Sequence, residues 1–140
     1  MGWTRVRVAV DSGAAESVIP TGEVPEYPPK QLSEPVYYQT ASGETIANEG
    51  EQVLPVLTEN GHELKAMTFQ ACDVTKPLAS VKRVVDAGHV VVFGPPELGG
   101  SYVINLSTWQ CEPLIEEDGN YNMNLWVPDP RLLESFGRHP

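Results

Sequence analysis

Hydrophobic and polar positions alternate over several short stretches of this chain, a pattern typical of half-buried β-strands. The clearest stretch lies near the start, where Val6, Val8 and Val10 follow a period of two. Similar stretches predict further strands at residues 36–40, 52–57, 67–74, 89–93, 101–105 and 121–127. The pattern therefore indicates a mostly β chain whose sheet is closed or nearly so.

Turn-forming residues separate these strands. The segment Pro20–Pro35 holds five prolines, and we expect a surface loop there because neither a helix nor a central strand tolerates that density. The dipeptide Asn60-Gly61 fits the type I′ turn of a β-hairpin. Residues 41–44 and the Glu-Asp-Gly-Asn stretch at 117–120 predict two more turns.

One segment has the pattern of a helix instead. Val81, Val84 and Val85 occupy positions i, i+3 and i+4 of the stretch 81–87. Ser80 can cap its start, and Gly88 can adopt the left-handed conformation at its end. We therefore predict one short helix within a single domain at residues 3–128. Residues 129–140 are expected to be a weakly ordered C-terminal tail.

The composition argues against several classes of protein. The chain has 140 residues and a formal net charge of -10, which disfavours nucleic acid and anionic membranes as partners. Its two cysteines and three scattered histidines form no metal-ligand pattern, so neither a metal nor a cofactor is expected. No apolar run is long enough to span a bilayer and no leader precedes Trp3, which predicts a cytoplasmic protein.

The residues after the first strand are the strongest candidates for chemistry. Asp11 ends that strand directly, where an unpaired carboxylate would be costly to bury. Ser12 offers a hydroxyl, Gly13 permits close approach of backbone, and Ala14 leaves room for a neighbouring chain. The hydrophobic chain then resumes at Val18-Ile19.

This Asp-Ser-Gly-Ala loop resembles the active-site loop of retropepsin-like aspartic proteases. Later segments are similar to the proteases of copia-type retrotransposon polyproteins: Leu78–Val81 leads into the helix, and Val90–Phe93 and Gly99–Ile104 follow it. The likeness covers roughly residues 5–127. Many members of the wider family have glycine where this chain has Ser80.

The resemblance implies a retropepsin-like closed β-barrel (the acid protease fold) that functions as a two-fold dimer. Aspartic protease chemistry needs two carboxylates that share one proton, one acting as base on a water molecule. This chain has a single Asp-Ser-Gly triplet, so an identical partner has to supply the second carboxylate. Asp11 would be catalytic, within a loop completed by Ser12 and Gly13, and the Ser12 hydroxyls would bond across the two-fold axis.

The resemblance also implies a flap hairpin at about residues 40–50 that closes over the substrate. Four of its residues are candidate substrate-binding residues together with Ala14 of the loop: Ala41, Ser42, Gly43 and Glu44. The substrate would be an extended peptide of the element's own polyprotein, bound as an added strand. Cleavage would take place in the cytoplasm, including inside virus-like particles.

Two other functions remain open from the sequence. A catalytically inactive or domesticated retropepsin-like domain could act as a dimerisation or peptide-binding module. An unrelated β-barrel binding module could carry the Asp11 turn incidentally. The intact Asp11, Ser12 and Gly13 favour the active enzyme over the inactive relative.

Overall fold

The computed structural model describes residues 2–39 and 42–137 of the chain. This part is mostly β, as predicted, with ten strands and two short α-helices. The strands are β1 (Trp3–Asp11), β2 (Val18–Pro20), β3 (Val36–Gln39), β4 (Thr45–Thr58), β5 (Lys65–Cys72), β6 (Leu78–Ser80), β7 (His89–Val92), β8 (Ser101–Asn105), β9 (Cys111–Glu117) and β10 (Asn120–Pro128). The helices are α1 (Val81–Asp86) and α2 (Pro130–Gly137), and Pro96–Leu98 forms a 3-10 turn.

The strands belong to one sheet, in the order β3-β4-β5-β2-β6-β1-β10-β9-β8-β7. An additional pairing links β4 to β10, where Leu57 lies opposite Trp126 and Thr58 opposite Leu125. This pairing curls the middle of the sheet, from β4 through β1 to β10, into a partial ring. β3 extends the sheet on one side of the ring, and β9, β8 and β7 extend it on the other.

β1 lies near the middle of this arrangement. It pairs antiparallel with β10 from Trp3 to Ala9, and parallel with β6 from Ala9 to Asp11. Val6 and Val8 are 1% and 0% exposed, so the predicted apolar face of this strand is confirmed. Burying each such side chain contributes roughly 1.5–3 kcal/mol. The end of β1 is therefore fixed by the core on one face and by strands on both edges.

The strands and the helix expected from the sequence are confirmed, and the structure adds four elements that were not expected. The predicted strands and the helix at α1 are present, with Ser80 as its N-cap and Gly88 at a φ of 97°. β2, β6 and β9 were not predicted as strands. α2 was not predicted either, so the expectation of a single helix is wrong. Asp129 explains α2, because its carboxylate accepts a hydrogen bond from the Arg131 N–H (2.9 Å) and the helix begins with Pro130.

Neither α1 nor α2, within the part of the chain that the structure describes, is long and apolar enough to cross a membrane.

The proline-rich segment between β2 and β3 has little regular structure, as expected, but it is not only a surface loop. Val24 is 1% exposed and belongs to the core. The Tyr27 hydroxyl donates a hydrogen bond to the carbonyl of Pro128 (2.6 Å), and the Gln52 side chain donates to the carbonyl of Val24 (2.9 Å). The segment thus covers one side of the core and connects β4 to the end of β10.

The two predicted hairpin turns differ in their backbone geometry. A hairpin does connect β4 and β5, as predicted. The prediction that its turn is of type I′ is wrong, because neither Asn60 nor Gly61 has a positive φ. Asn60 instead donates its backbone N–H to the Glu112 carboxylate (2.7 Å), which ties the turn to β9. The positive φ pair occurs at Asp118 (54°) and Gly119 (77°), between β9 and β10.

We expect Gly50→Ala to destabilise the fold more than an ordinary glycine substitution. Gly50 has a φ of 145° at the bulge in β4, and a Cβ there would lie 2.7 Å from the Lys30 carbonyl oxygen. Since both the backbone and the contact oppose a side chain, the loss should be about 2–4 kcal/mol. Urea unfolding measures it.

Gly22→Ala is the matched control, because Gly22 has a φ of 86° but nothing within 4 Å of an added Cβ. It should lose only about 1 kcal/mol. Equal losses at the two positions would contradict the steric explanation.

Candidate active site

Asp11 lies at the last position of β1, where the strand leaves the core. It is partly exposed, and its Oδ1 accepts a hydrogen bond from the backbone N–H of Gly13 (2.8 Å). A Cβ on residue 13 would lie 3.4 Å from the same oxygen, at ordinary van der Waals contact. The chain therefore folds back on the carboxylate, as the Asp-Ser-Gly sequence predicts.

An open cavity of about 280 Å³ lies beside Asp11. Its walls combine the end of β1 with the first residues of β6 and β10 and the residue after β7. Leu78, Phe93 and Tyr121 supply the large apolar surface, and the rings of Phe93 and Tyr121 pack with their centroids 4.8 Å apart. Asp11 and Ser12 are the candidate residues that reach this cavity, which therefore offers a carboxylate next to apolar walls.

Ser80 fastens the Asp11 loop to the start of α1. This side chain is 0% exposed, and its residue lies opposite Asp11 in the parallel pairing of β6 with β1. Its hydroxyl donates to the carbonyl of Ala14 (2.7 Å) and accepts from the N–H of Arg83 (3.2 Å). The Ser80 N–H in turn donates to the hydroxyl of Ser17 (3.0 Å). One buried serine thus joins both ends of the loop to the helix.

An ion pair holds the same loop from outside. The Arg83 guanidinium contacts the Glu16 carboxylate, and this contact raises the pKa of Arg83. Arg83 is exposed and Glu16 partly exposed, so solvent screens the pair and it contributes little to stability. The buried Ser80 contacts therefore matter more for holding the loop.

The candidate substrate-binding residues do not all come together. Ala14 is half-buried within the loop, where its carbonyl is occupied by Ser80. Ser42, Gly43 and Glu44 lie in the β3–β4 connection, and none of them lines the cavity beside Asp11. Ala41 lies outside the described residues. The β3–β4 hairpin exists, and the arrangement of its tip over a substrate stays a prediction.

The base of this hairpin does lie near the Asp11 loop. The Tyr38 hydroxyl accepts a hydrogen bond from the side-chain amide of Asn48 (3.0 Å). Burial raises the pKa of Tyr38, and the charges of Glu16 and Arg83 act on the same hydroxyl. The hairpin therefore starts beside the residues that flank the loop.

No protein-family model, curated protein or solved structure matched this chain. Within residues 2–39 and 42–137, no group of three or more histidine, cysteine, aspartate or glutamate side chains could hold a metal ion. The assignment of a function consequently depends on the geometry around Asp11 and on the sequence of its loop.

Sequence reasoning found the loop itself but missed most of what supports it. Asp11, Ser12, Gly13 and Ala14 form one turn, as expected. Ser80 was recognised only as a helix cap, and the hydroxyl of Ser17 was not singled out. Phe93 and Tyr121 come from distant parts of the chain, and no local signal indicates that they share a wall of the cavity.

We expect Ser80→Ala to loosen the Asp11 loop and to destabilise the protein by about 1–3 kcal/mol. The substitution removes the donor to the Ala14 carbonyl and the cap of α1. Urea unfolding measures the loss of stability, and amide hydrogen exchange at residues 12–17 measures the loosening. Ser101→Ala is the control, because Ser101 is also buried but bonds to Gly94. Equally fast exchange of the loop in both variants would contradict this role of Ser80.

The two cysteines are free thiols, Cys72 buried and Cys111 exposed. Burial, and to a lesser extent the Glu49 carboxylate, raises the pKa of Cys72 from 9.0 to about 11. The unfolded chain therefore loses this proton near pH 9, whereas the folded protein keeps it until about pH 11.

It follows that the free energy of unfolding should fall as the pH rises from 9 to 11, because the unfolded state then binds fewer protons than the folded state. Cys72→Ala should flatten this decline, while Cys111→Ala should leave it unchanged. Urea titrations at several pH values test this. An identical slope for the wild type and Cys72→Ala would contradict it.

Proposed function

We propose that this chain is an aspartic endopeptidase of the retropepsin type that works as a two-fold dimer, with one Asp11 from each subunit. The observation that carries the proposal is the position of Asp11. Its carboxylate sits at the end of a core strand, accepts the Gly13 N–H at 2.8 Å, and opens onto a cavity with apolar walls. The buried Ser80 also holds the loop in place, which a turn without a function would not require.

The strand arrangement around Asp11 supports the same proposal. β6 pairs with β1 on one side and with β2 on the other, so that the segments before and after the loop flank a third strand. α1 begins directly after β6, in the order that the resemblance to retropepsin-like proteases implies. The pairing of β4 with β10 favours a sheet that closes into the acid protease barrel.

In the proposed reaction, two Asp11 carboxylates share one proton and hold a water molecule between them. The unprotonated carboxylate takes a proton from the water as its oxygen attacks the carbonyl carbon of the peptide. The protonated carboxylate gives its proton to the carbonyl oxygen, which yields a neutral diol. As the diol collapses and the C–N bond breaks, the protonated carboxyl gives its proton to the departing nitrogen and the other carboxylate takes a proton from a diol hydroxyl, so that the dyad again holds one proton.

The proposed substrate is an extended peptide within a polyprotein of a retrotransposon element. Such a peptide can pair with an exposed strand while its side chains enter pockets at alternate positions. Leu78, Phe93 and Tyr121 favour an apolar side chain in the cavity beside Asp11. The β3–β4 hairpin would then close over the peptide and exclude water.

We expect Asp11→Asn to abolish cleavage of a mixed peptide library at about pH 5, with a loss on the order of 10³-fold, because an amide cannot act as the base. The fold should be retained, since Asp11 is partly exposed and its neighbours are unchanged. Mass spectrometry of the products measures the cleavage, and circular dichroism measures the fold.

Asp73→Asn is the matched control, because Asp73 is an exposed carboxylate outside the cavity, and it should cleave like the wild type. A statine-type inhibitor should suppress wild-type cleavage. Full activity in Asp11→Asn would remove Asp11 from the mechanism. A wild-type dimer that binds peptides without cutting them would identify an inactive relative instead.

A further inference from the structure

β9 carries a carboxylate on its core-facing side, at the point where the core ends. Residues 112, 114 and 116 share one face of the strand, because side chains two positions apart point the same way. Glu112 is 8% exposed and accepts the Asn60 N–H, and Leu114 belongs to the core. Glu116 continues the same row but is exposed. The row therefore passes from the core to an open carboxylate.

The strand register places this carboxylate next to the cavity beside Asp11. Glu116 lies directly opposite Tyr121 of β10, and such cross-strand pairs share a face with their Cβ atoms roughly 5 Å apart. Tyr121 lines the cavity, and so do the two residues before it, Gly119 and Asn120. Glu116 therefore lies just outside the cavity lining, one side chain beyond the aromatic wall.

The Glu116 carboxylate is not engaged by its own chain. In the part of the chain that the structure describes, it forms no ion pair and accepts no hydrogen bond. Glu117 differs in this respect, because it points to the opposite face of β9 and contacts the Arg7 guanidinium at 3.0 Å. Of these two neighbouring glutamates, only Glu116 can offer an unpaired charge on the cavity side.

The other edge of β9 leaves space beside the same carboxylate. The pairing of β9 with β8 ends where Leu114 lies opposite Ser101. Gly99 and Gly100 precede Ser101, with φ of 102° and 75° and no side chains. β8 therefore provides no side chain that would fill the space next to Glu116.

A carboxylate beyond an aromatic wall is suited to bind a lysine or arginine side chain. Such side chains lay their methylene stems along apolar surface and keep the charged group at its edge. Phe93 and Tyr121, with ring centroids 4.8 Å apart, offer that surface, and their faces attract cations. Glu116 can then accept a charge-assisted hydrogen bond from the charged group. The net charge of -10 also attracts cationic peptides to the chain.

We propose that Glu116 selects a lysine or arginine side chain of the peptide that the Asp11 site cleaves. This inference rests on the proposed function, which places an extended peptide in the cavity. The apolar side chain of that peptide packs beside Leu78, in the strand that pairs with the end of β1. The basic side chain lies on the same face of the peptide and reaches Glu116.

The spacing of the strands limits how far apart the two peptide side chains are. β6, β1, β10 and β9 are consecutive in the sheet, so three strand spacings of roughly 4.8 Å, about 14 Å in all, separate Leu78 from Glu116. Side chains on one face of an extended peptide are roughly 7 Å apart. The basic residue should therefore lie two or four positions from the apolar residue.

The test uses a library of peptides that each hold one leucine and, two or four positions away, lysine, norleucine or glutamate. Mass spectrometry of the products should show that the wild type cleaves the lysine peptides about tenfold faster than the norleucine peptides, which keep the stem without the charge. Glu116→Gln should reduce this ratio to less than threefold, and Glu116→Lys should favour the glutamate peptides. Because each ratio compares substrates within one variant, a general loss of activity does not imitate the effect.

Glu117→Gln is the matched control. It makes the same change of charge one residue further along β9, on the opposite face, and should keep the tenfold preference. Equal loss of the preference in Glu116→Gln and Glu117→Gln would assign it to net charge and overturn the proposal. A wild type that cleaves lysine and norleucine peptides equally fast would also overturn it.

A binding measurement separates this proposal from the function on which it rests. Fluorescence anisotropy of the labelled peptides with Asp11→Asn should show about tenfold tighter binding of the lysine peptides, lost in the double variant Asp11→Asn/Glu116→Gln. Cleavage by the wild type without a preference for lysine would refute the role of Glu116 while the endopeptidase stands. Binding through Glu116 without any cleavage by the wild type would support the subsite while the endopeptidase fails. If the peptides neither bind nor are cleaved, both proposals fail.

Discussion

The structure depends on how the end of β1 is held. A carboxylate that follows a core strand has to find hydrogen-bond donors or solvent, since burying it without a partner would cost several kcal/mol. Here the Gly13 N–H donates to Asp11, while Ser80 joins the loop to α1 from the buried side. The core fixes the strand, the loop fixes the carboxylate, and the open cavity leaves one side of it accessible. We propose that Asp11 is catalytic because its position is fixed by these contacts while its carboxylate stays accessible from the cavity.

The rest of the fold can be understood around that point. Ala9 is the last residue of β1 that pairs with β10 and the first that pairs with β6. The end of β1 is thus paired with β6 alone just before the loop begins. The proline-rich segment and α2 lie toward the opposite end of β1, where Tyr27 bonds to Pro128 and the Asp129 N–H bonds to the Gly2 carbonyl (2.8 Å). The scaffold is therefore tied at both ends of the strand, and the β3–β4 hairpin extends from its edge.

How much could be predicted from the sequence depended on whether a feature is local. Val6, Val8 and Val10 reveal β1 because a period of two is visible without any partner, and Ser80 and Gly88 bound α1 for the same reason. β9 was missed because its inward positions include Glu112, a residue that tolerates burial only because Asn60 donates to it from another hairpin. That contact also explains why Asn60-Gly61 does not adopt its usual turn. Phe93 and Tyr121 meet only through the sheet, so half of the cavity wall could not be predicted.

The central claim is that two subunits share one reaction, and mixing subunits tests it most directly. Wild-type protein is equilibrated with a tenfold excess of Asp11→Asn, so that nearly every wild-type chain pairs with a variant chain. If each site needs an Asp11 from both subunits, peptide cleavage should fall to about a tenth of the rate of wild type alone, by mass action. An unchanged rate would show that one chain cleaves without its partner's carboxylate, which would contradict the account.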